Sequence, residues 1–229
     1  MIIPGILEEN FDEVKRKIRL VENVCSTVQV DIVDNTIITG KTFLNIQKIR
    51  KVETKTDTTL HLMVEKPTKY LKTSPILNLF NKSKIPNMST VVTQLIKDKD
   101  LKSFISFSKN AGYKIGLSIN ADEDTSLLQP YMEDLDIVQF MSVVPGKQGN
   151  DFIPNVLDKI RDFKSHFPLI TTQIDGGVNE STFQQVLETG VDNIVVGSAI
   201  FNSEDPKKKF LEFSSIFNER TANGARRKF

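Results

Sequence analysis

Short β-branched runs alternate along the chain with longer stretches in which apolar residues recur every three or four positions. The runs that read as strands fall at 2–7, 27–33, 58–64, 91–95, 114–120, 136–143, 169–175 and 193–200. Most are followed by an amphipathic segment: 10–24 turns Phe11, Val14, Ile18 and Val21 to one side, and 152–163 does the same with Val156, Leu157 and Ile160. Asn10, Asp124 and Asn179 suit helix N-caps, while Gly112 and Gly190 suit C-terminal stops. The fourth strand has the least defined start, because Pro86 and the polar run 87–90 precede it. Short Val- and Ile-rich runs such as 193–196 suit parallel strands covered on both faces. Eight such units, with no linker or shift in composition, predict one α/β domain over 1–229. They favour closure into a (β/α)₈ TIM barrel over an open sheet.

Composition adds mainly exclusions. The 229 residues carry a net charge of +1, which provides no field to attract nucleic acid. The basic ending Arg226-Arg227-Lys228 reads as part of a frayed tail over 219–229. No apolar run approaches the ~20 residues that span a bilayer, so no membrane partner is expected. Met1-Ile2-Ile3-Pro4-Gly5 lacks the pattern of a signal peptide, and a cytoplasmic location is expected. Cys25, the single cysteine, lies among apolar residues and reads as a structural thiol.

A barrel carries its chemistry where its strands end, at their C-terminal tips. The eighth run contains Val196-Gly197-Ser198-Ala199-Ile200, and a glycine and hydroxyl residue opening a short helix would leave backbone N–H groups for a phosphate dianion. Alone, the same residues read equally well as a tight turn. The seventh ends in Ile174-Asp175-Gly176-Gly177, where paired glycines allow a close backbone approach. Its place one unit before Gly197-Ser198 matters, since barrel phosphate sites commonly span strands seven and eight. The sixth leads into Pro145-Gly146-Lys147-Gln148-Gly149-Asn150, which is longer than a connection requires and reads as a lid or phosphate-contacting loop.

Two other strands carry polar residues in buried positions. Gln29 and Asp31 are two apart and share one face of the second strand; His61 and Met63 do so in the third. A lone histidine in an apolar strand is ordinarily a satisfied core residue. Here Asp31, His61 and Asp175 can converge with Gln29 in one mouth, and one imidazole with two carboxylates is a competent set for Zn, Mn, Fe or Co. Two carboxylates across a mouth, a metal and a phosphate anchor point to one reaction class. One Asp removes a proton α to a carbonyl, the metal stabilises the enediolate, and the other Asp reprotonates the opposite face. The chain has no competing dinucleotide, Walker or Ser-His-Asp signature.

At these residues the chain resembles the ribulose-phosphate 3-epimerase family, over nearly its whole length. The matching stretches are Ile3-Pro4-Gly5-Ile6-Leu7, Val30-Asp31-Ile32-Val33-Asp34, His61-Leu62-Met63-Val64 with Pro67, Met141-Ser142-Val143-Val144-Pro145-Gly146 with Gly149 and Phe152, Asp175-Gly176-Gly177, and Gly197-Ser198-Ala199-Ile200-Phe201. The resemblance implies a barrel that inverts C3 of D-ribulose 5-phosphate to give D-xylulose 5-phosphate, with a divalent metal (Zn, Fe, Mn or Co), in pentose phosphate metabolism. It implies Asp31 and Asp175 as acid–base pair and metal ligands, His61 as a third ligand, and Gln29 at the fourth. Met63 and Met141 would pack against the enediolate, and Gly146, Gly149, Gly176, Gly177, Gly197 and Ser198 would hold the phosphosugar. A homo-oligomer is also implied.

The chain departs from the family's pattern around the same mouth. Gln29 and Gln94 stand where the family has histidines, and Gly5 where it has serine. Val33 replaces a methionine, Asn35 a glycine, and Lys147-Gln148 with Asn150 replace the usual loop residues. Gln29 carries the largest chemical consequence, because an amide oxygen is a far weaker transition-metal ligand than imidazole. Three readings stay open: an epimerase with a weakened or different metal, an epimerase for another ketose phosphate, and a phosphosugar-binding barrel that has lost catalysis.

Overall fold

A computed structural model describes residues 1–72, 87–145 and 150–226. Eight strands are arranged in chain order: β1 (Ile2–Ile6), β2 (Thr27–Val33), β3 (Asp57–Met63), β4 (Met88–Gln94), β5 (Lys114–Ile119), β6 (Ile137–Met141), β7 (Thr171–Asp175) and β8 (Asn193–Val196). Each pairs in parallel with the next, and β8 pairs with β1 to close the barrel. The expected (β/α)₈ architecture is the one observed.

The differences lie at strand ends. β4 starts at Met88 rather than at 91, because Thr58 of β3 pairs with Met88 and donates its N–H to the Asn87 carbonyl at 2.8 Å. β7 starts only at Thr171, since Leu169 is 97% exposed and lies in a turn. β6 stops at Met141, short of the expected 143. β8 stops at Val196 rather than at 200: the chain bends at Gly197, and Ser198–Phe201 winds into a helix.

Alternation within strands explains the two layers. Val28, Val30 and Ile32 of β2 are fully buried against the helical shell, while Gln29 and Asp31 face the barrel interior. From the shell, Phe11–Val21 contributes Val14, Ile18 and Val21, and Val156–His166 contributes Val156, Leu157, Ile160 and Phe163. Each such side chain stabilises the fold by roughly 1.5–3 kcal/mol when fully buried. Phe163 meets Phe140 of β6 edge-on, with ring centroids 5.5 Å apart. The caps fall where the side-chain chemistry places them: Asn10, Asp124 and Asn179 each accept a backbone N–H, and Gly112 closes Asp98–Ala111 at φ 79°. Cys25 is buried, and burial pushes its thiol up to about 11, which suits a structural role.

The last helix, Pro206–Arg226, carries most of the expected basic tail as helical backbone. Among the described residues, no helix is long and apolar enough to cross a membrane.

Candidate active site

Parallel register brings the ends of β2, β3, β6 and β7 to one level. Asp31 lies opposite His61, Val33 opposite Met63, and Met141 opposite Asp175. Potential ligand atoms of Asp31, His61 and Asp175 all lie within 4.8 Å of one another. His61 Nδ1 is 3.2 Å from Asp31 Oδ1 and 3.5 Å from Asp175 Oδ2. Gln29 also reaches this cluster, nitrogen first. Its Nε2 donates to Asp31 Oδ1 at 2.9 Å and to Asp175 Oδ2 at 2.7 Å.

Two carboxylates so close need a positive neighbour. Unit charges 4.8 Å apart repel by about 3 kcal/mol at an effective dielectric of about 20. His61 supplies the compensation. Burial alone would push its imidazole down, but hydrogen bonds and charges from Asp175 and Asp31 outweigh burial and lift it to about 9. Asp31 is raised, first by burial and further by the Asp175 charge, against the lowering effect of His61.

The raised imidazole has a consequence for stability. Its contribution is fully present below about pH 6.5, where folded and unfolded chains both hold the proton, and is lost as pH rises through about 9. The Met1 amino group, which burial lowers to about 6 against the pull of Asp192, titrates in part of this window, so a comparison of variants is needed. In chelator-treated protein, the stability gap between wild type and His61→Gln should shrink by about 3 kcal/mol from pH 6.5 to 9. Urea unfolding at the two pH values measures it, and a constant gap would refute the assignment.

A buried amide layer supports the cluster from below. Gln139 Nε2 donates to Asp175 Oδ2 at 3.0 Å and lies 3.2 Å from His61 Nδ1. Gln173 Nε2 donates to Gln29 Oε1 at 2.8 Å and to Gln139 Oε1 at 2.7 Å, while Asn193 Nδ2 donates to Gln173 Oε1 at 3.3 Å. Gln94 Nε2 sits 3.2 Å from His61 Nε2, and Gln94 Oε1 is buried with no hydrogen-bond partner among the described residues. Sequence reasoning did not single out Gln139, Gln173 or Asn193. A signal was present: Gln139 precedes Met141, and Gln173 precedes Asp175, by the same two-residue step that links Gln29 to Asp31.

Above the acids an open cleft extends toward β7 and β8. Asp31, Asp175, Met63 and Met141 line its floor side, and Gly176, Gly177, Gly197 and Ser198 also line it. Gly176 has φ 113° and Gly177 φ 64°, a backbone region that favours glycine. A Cβ on Gly176 would run into the Val143 side chain, and one on Gly177 would come within 3.1 Å of Phe152 Cα. The paired glycines therefore let the β6 and β7 loops pack together as well as bordering the cleft. Gly5 is tight too: a Cβ there would meet Val195 Cγ1 at 2.8 Å, so a serine needs Val195 to move. Gly146 and Gly149 lie outside the described residues, although their neighbours Pro145 and Asn150 line the cleft. Asp34 is not part of the cluster: it accepts from the Tyr70 hydroxyl at 2.7 Å and from Thr36.

Known proteins resemble this chain in sequence and in fold. A family model described as the ribulose-phosphate 3 epimerase family matches residues 1–201. A ribulose-phosphate 3-epimerase of Bacillus subtilis is 29% identical over 224 residues, covering 92% of this chain and 96% of its own. One from Escherichia coli is 27% identical, covering 94% and 95%. Among solved structures, a mutant tryptophan synthase α-subunit from Pyrococcus furiosus superposes with TM-score 0.68 at 16% identity, covering 93% of this chain and 97% of its own. A 3-hexulose-6-phosphate synthase from Salmonella typhimurium reaches 0.64 at 14%, covering 96% and 99%. At those identities the structural likeness speaks for the barrel alone.

Proposed function

Because the chain belongs to the ribulose-phosphate 3-epimerase family, we propose that it is a ketose-phosphate 3-epimerase that interconverts D-ribulose 5-phosphate and D-xylulose 5-phosphate. The observation that carries this reading is the single cleft lined both by the acid pair and by Gly177, Gly197 and Ser198. A substrate whose phosphate rests at β7 and β8 extends its carbon chain over Asp31 and Asp175.

Each carboxylate then serves one face of C3. In one direction an ionised Asp31 takes the C3 proton to leave an enediolate, and Asp175, which enters the step protonated, then delivers its proton to the opposite face of C3; in reverse the roles exchange. In the metal-free site His61, fully buried and in contact with both acids, keeps the pair from repelling. Met63 and Met141, both nearly buried, present polarisable apolar surface that keeps bulk water from the planar intermediate.

Asp31, His61 and Asp175 would hold a divalent metal, an arrangement to which their oxygen and nitrogen atoms are suited. Such an ion supplies Lewis-acid stabilisation of the enediolate's negative charge. Gln29 turns its amide nitrogen, not its oxygen, to this position.

Incubation of the purified protein with ribulose 5-phosphate in deuterated buffer, with Zn, Mn, Fe or Co added in turn, tests the reading. Deuterium should enter at C3 as xylulose 5-phosphate appears. Neither product nor exchange under any condition would end it. Turnover confined to another ketose phosphate would favour the altered-substrate reading, for which Gly5 at the cleft wall speaks, whereas Gln94 lies buried behind His61.

A further inference from the structure

We propose that Gln173 is a positioning residue that fixes which end of the Gln29 amide faces the acid pair, and thereby keeps the fourth corner of the site a hydrogen-bond donor instead of a metal-ligating oxygen. The inference rests on the metal reading above and concerns residues that reading leaves unused.

The direction of every bond in the amide layer follows from one end. Carboxylates only accept, so Gln29 and Gln139 must present nitrogen to Asp31 and Asp175, as they do at 2.9, 2.7 and 3.0 Å. Their oxygens must then face the barrel floor. There both meet the same group, Gln173 Nε2, at 2.8 and 2.7 Å. The two N–H bonds of that amide are both used, and Asn193 donates to its oxygen at 3.3 Å. Gln29, Gln139 and Gln173 are 0%, 0% and 1% exposed, so water is not at hand to replace a lost partner.

Such a layer resists a change in any single member. For Gln29 to offer Oε1 to a cation, its NH₂ must turn toward the Gln173 NH₂, donor against donor. Gln173 cannot turn in response without setting its oxygen against Gln139 Oε1. Gln139 in turn would have to set its own oxygen against Asp175. Three residues must reverse together, and the last reversal places an acceptor on the Asp175 carboxylate, a clash that a contact with the neighbouring His61 ring offsets only in part. Leaving one buried donor unsatisfied costs on the order of 1–3 kcal/mol. The layer therefore opposes recruitment of Gln29 as a ligand, and a cation at this site is held by Asp31, His61 and Asp175.

Removing the lock should tighten metal binding. Gln173→Met keeps volume and neutrality but deletes both donors, freeing Gln29 to turn. Calorimetric titration with Mn²⁺ alone should show affinity rising about tenfold over wild type, and the visible spectrum of the Co²⁺ form should report the added oxygen ligand. In a Gln29→Met background the same change at Gln173 should have no effect on affinity. Gln173→Glu offers a second route, since it presents acceptors only and would draw the Gln29 NH₂ downward. Its gain should likewise shrink in the Gln29→Met background. A folded Gln173→Met that binds Mn²⁺ no more tightly than wild type overturns the inference; should that variant not fold, an unimproved Gln173→Glu does so. A gain of equal size in the Gln29→Met background overturns it too, because the cause would then lie outside Gln29. Gln29→His separates the two levels of argument. If it binds metal while Gln173 variants change nothing, only the lock is wrong; if it takes no metal, the metal reading fails and the lock falls with it.

Discussion

Asp175→Asn should lower epimerisation of ribulose 5-phosphate by about 10³-fold or more, the loss expected when a general acid–base group is deleted, while the protein stays folded. The side chain is 8% exposed and accepts from two amides, Gln29 and Gln139, so a near-isosteric amide can occupy the same space. Removing its charge relieves repulsion with Asp31 but also withdraws a partner from His61, and with these effects opposed the melting temperature should change little. That combination separates catalysis from stability. A sharper signature lies in isotope exchange. A two-base site with one base deleted still lets the remaining carboxylate remove a proton from the epimer that faces it. In Asp175→Asn, Asp31 should exchange C3 deuterium into one epimer without converting it to the other. Asp31→Asn should show the mirror pattern. Proton NMR of each epimer in deuterated buffer reads both results. Turnover within tenfold of wild type in Asp175→Asn would remove this residue from the mechanism.

The residues that made this prediction possible were legible in the chain because polar side chains in buried strands are conspicuous. Asp31, His61 and Asp175 stood out against Val- and Ile-rich runs, and period-two alternation was enough to turn them inward. The barrel followed from counting strands. Local bends were harder to read. The eighth run reads as extending to 200, yet Gly197-Ser198 within it already marks the start of a short helix, and the strand stops at Val196. The 152–163 segment kept its apolar face, yet its helix begins at Val156, after residues whose backbone serves the β6 loop. For Gln29, residue type alone suggested a weak oxygen ligand. Amide direction depends on partners 144 and 146 positions away, Gln173 and Asp175, and no local pattern encodes that. The paired glycines carried two meanings at once. Close approach was predicted from them, but the partner that approaches is Val143 as well as the cleft.

Ser198→Asp should abolish phosphosugar binding, and it isolates the far end of the cleft better than any glycine variant. Substitutions at Gly176 and Gly177 force a side chain into a positive-φ backbone and into Val143 or Phe152, so their failure would mix folding with binding. Ser198 borders the cleft, is partly exposed and begins the helix Ser198–Phe201, where an acidic residue is sterically tolerated. A carboxylate about 4 Å from a phosphate dianion repels it by about 8 kcal/mol at an effective dielectric of about 20. Even half of that weakens binding by about 10³-fold. Ser198→Ala, which removes one hydroxyl and leaves the backbone N–H groups, should cost only about tenfold. Asp31→Asn should leave binding near wild type. Thermal-shift titration with ribulose 5-phosphate, and with inorganic phosphate as a minimal probe, distinguishes the three variants, because the shift follows ligand concentration through mass action. A stabilising shift that survives Ser198→Asp would move the phosphate away from β8. A shift lost in Ser198→Asp and kept in Asp31→Asn, whose turnover is gone, would tie phosphate binding to β8 and proton transfer to the acid pair, two tasks in one cleft.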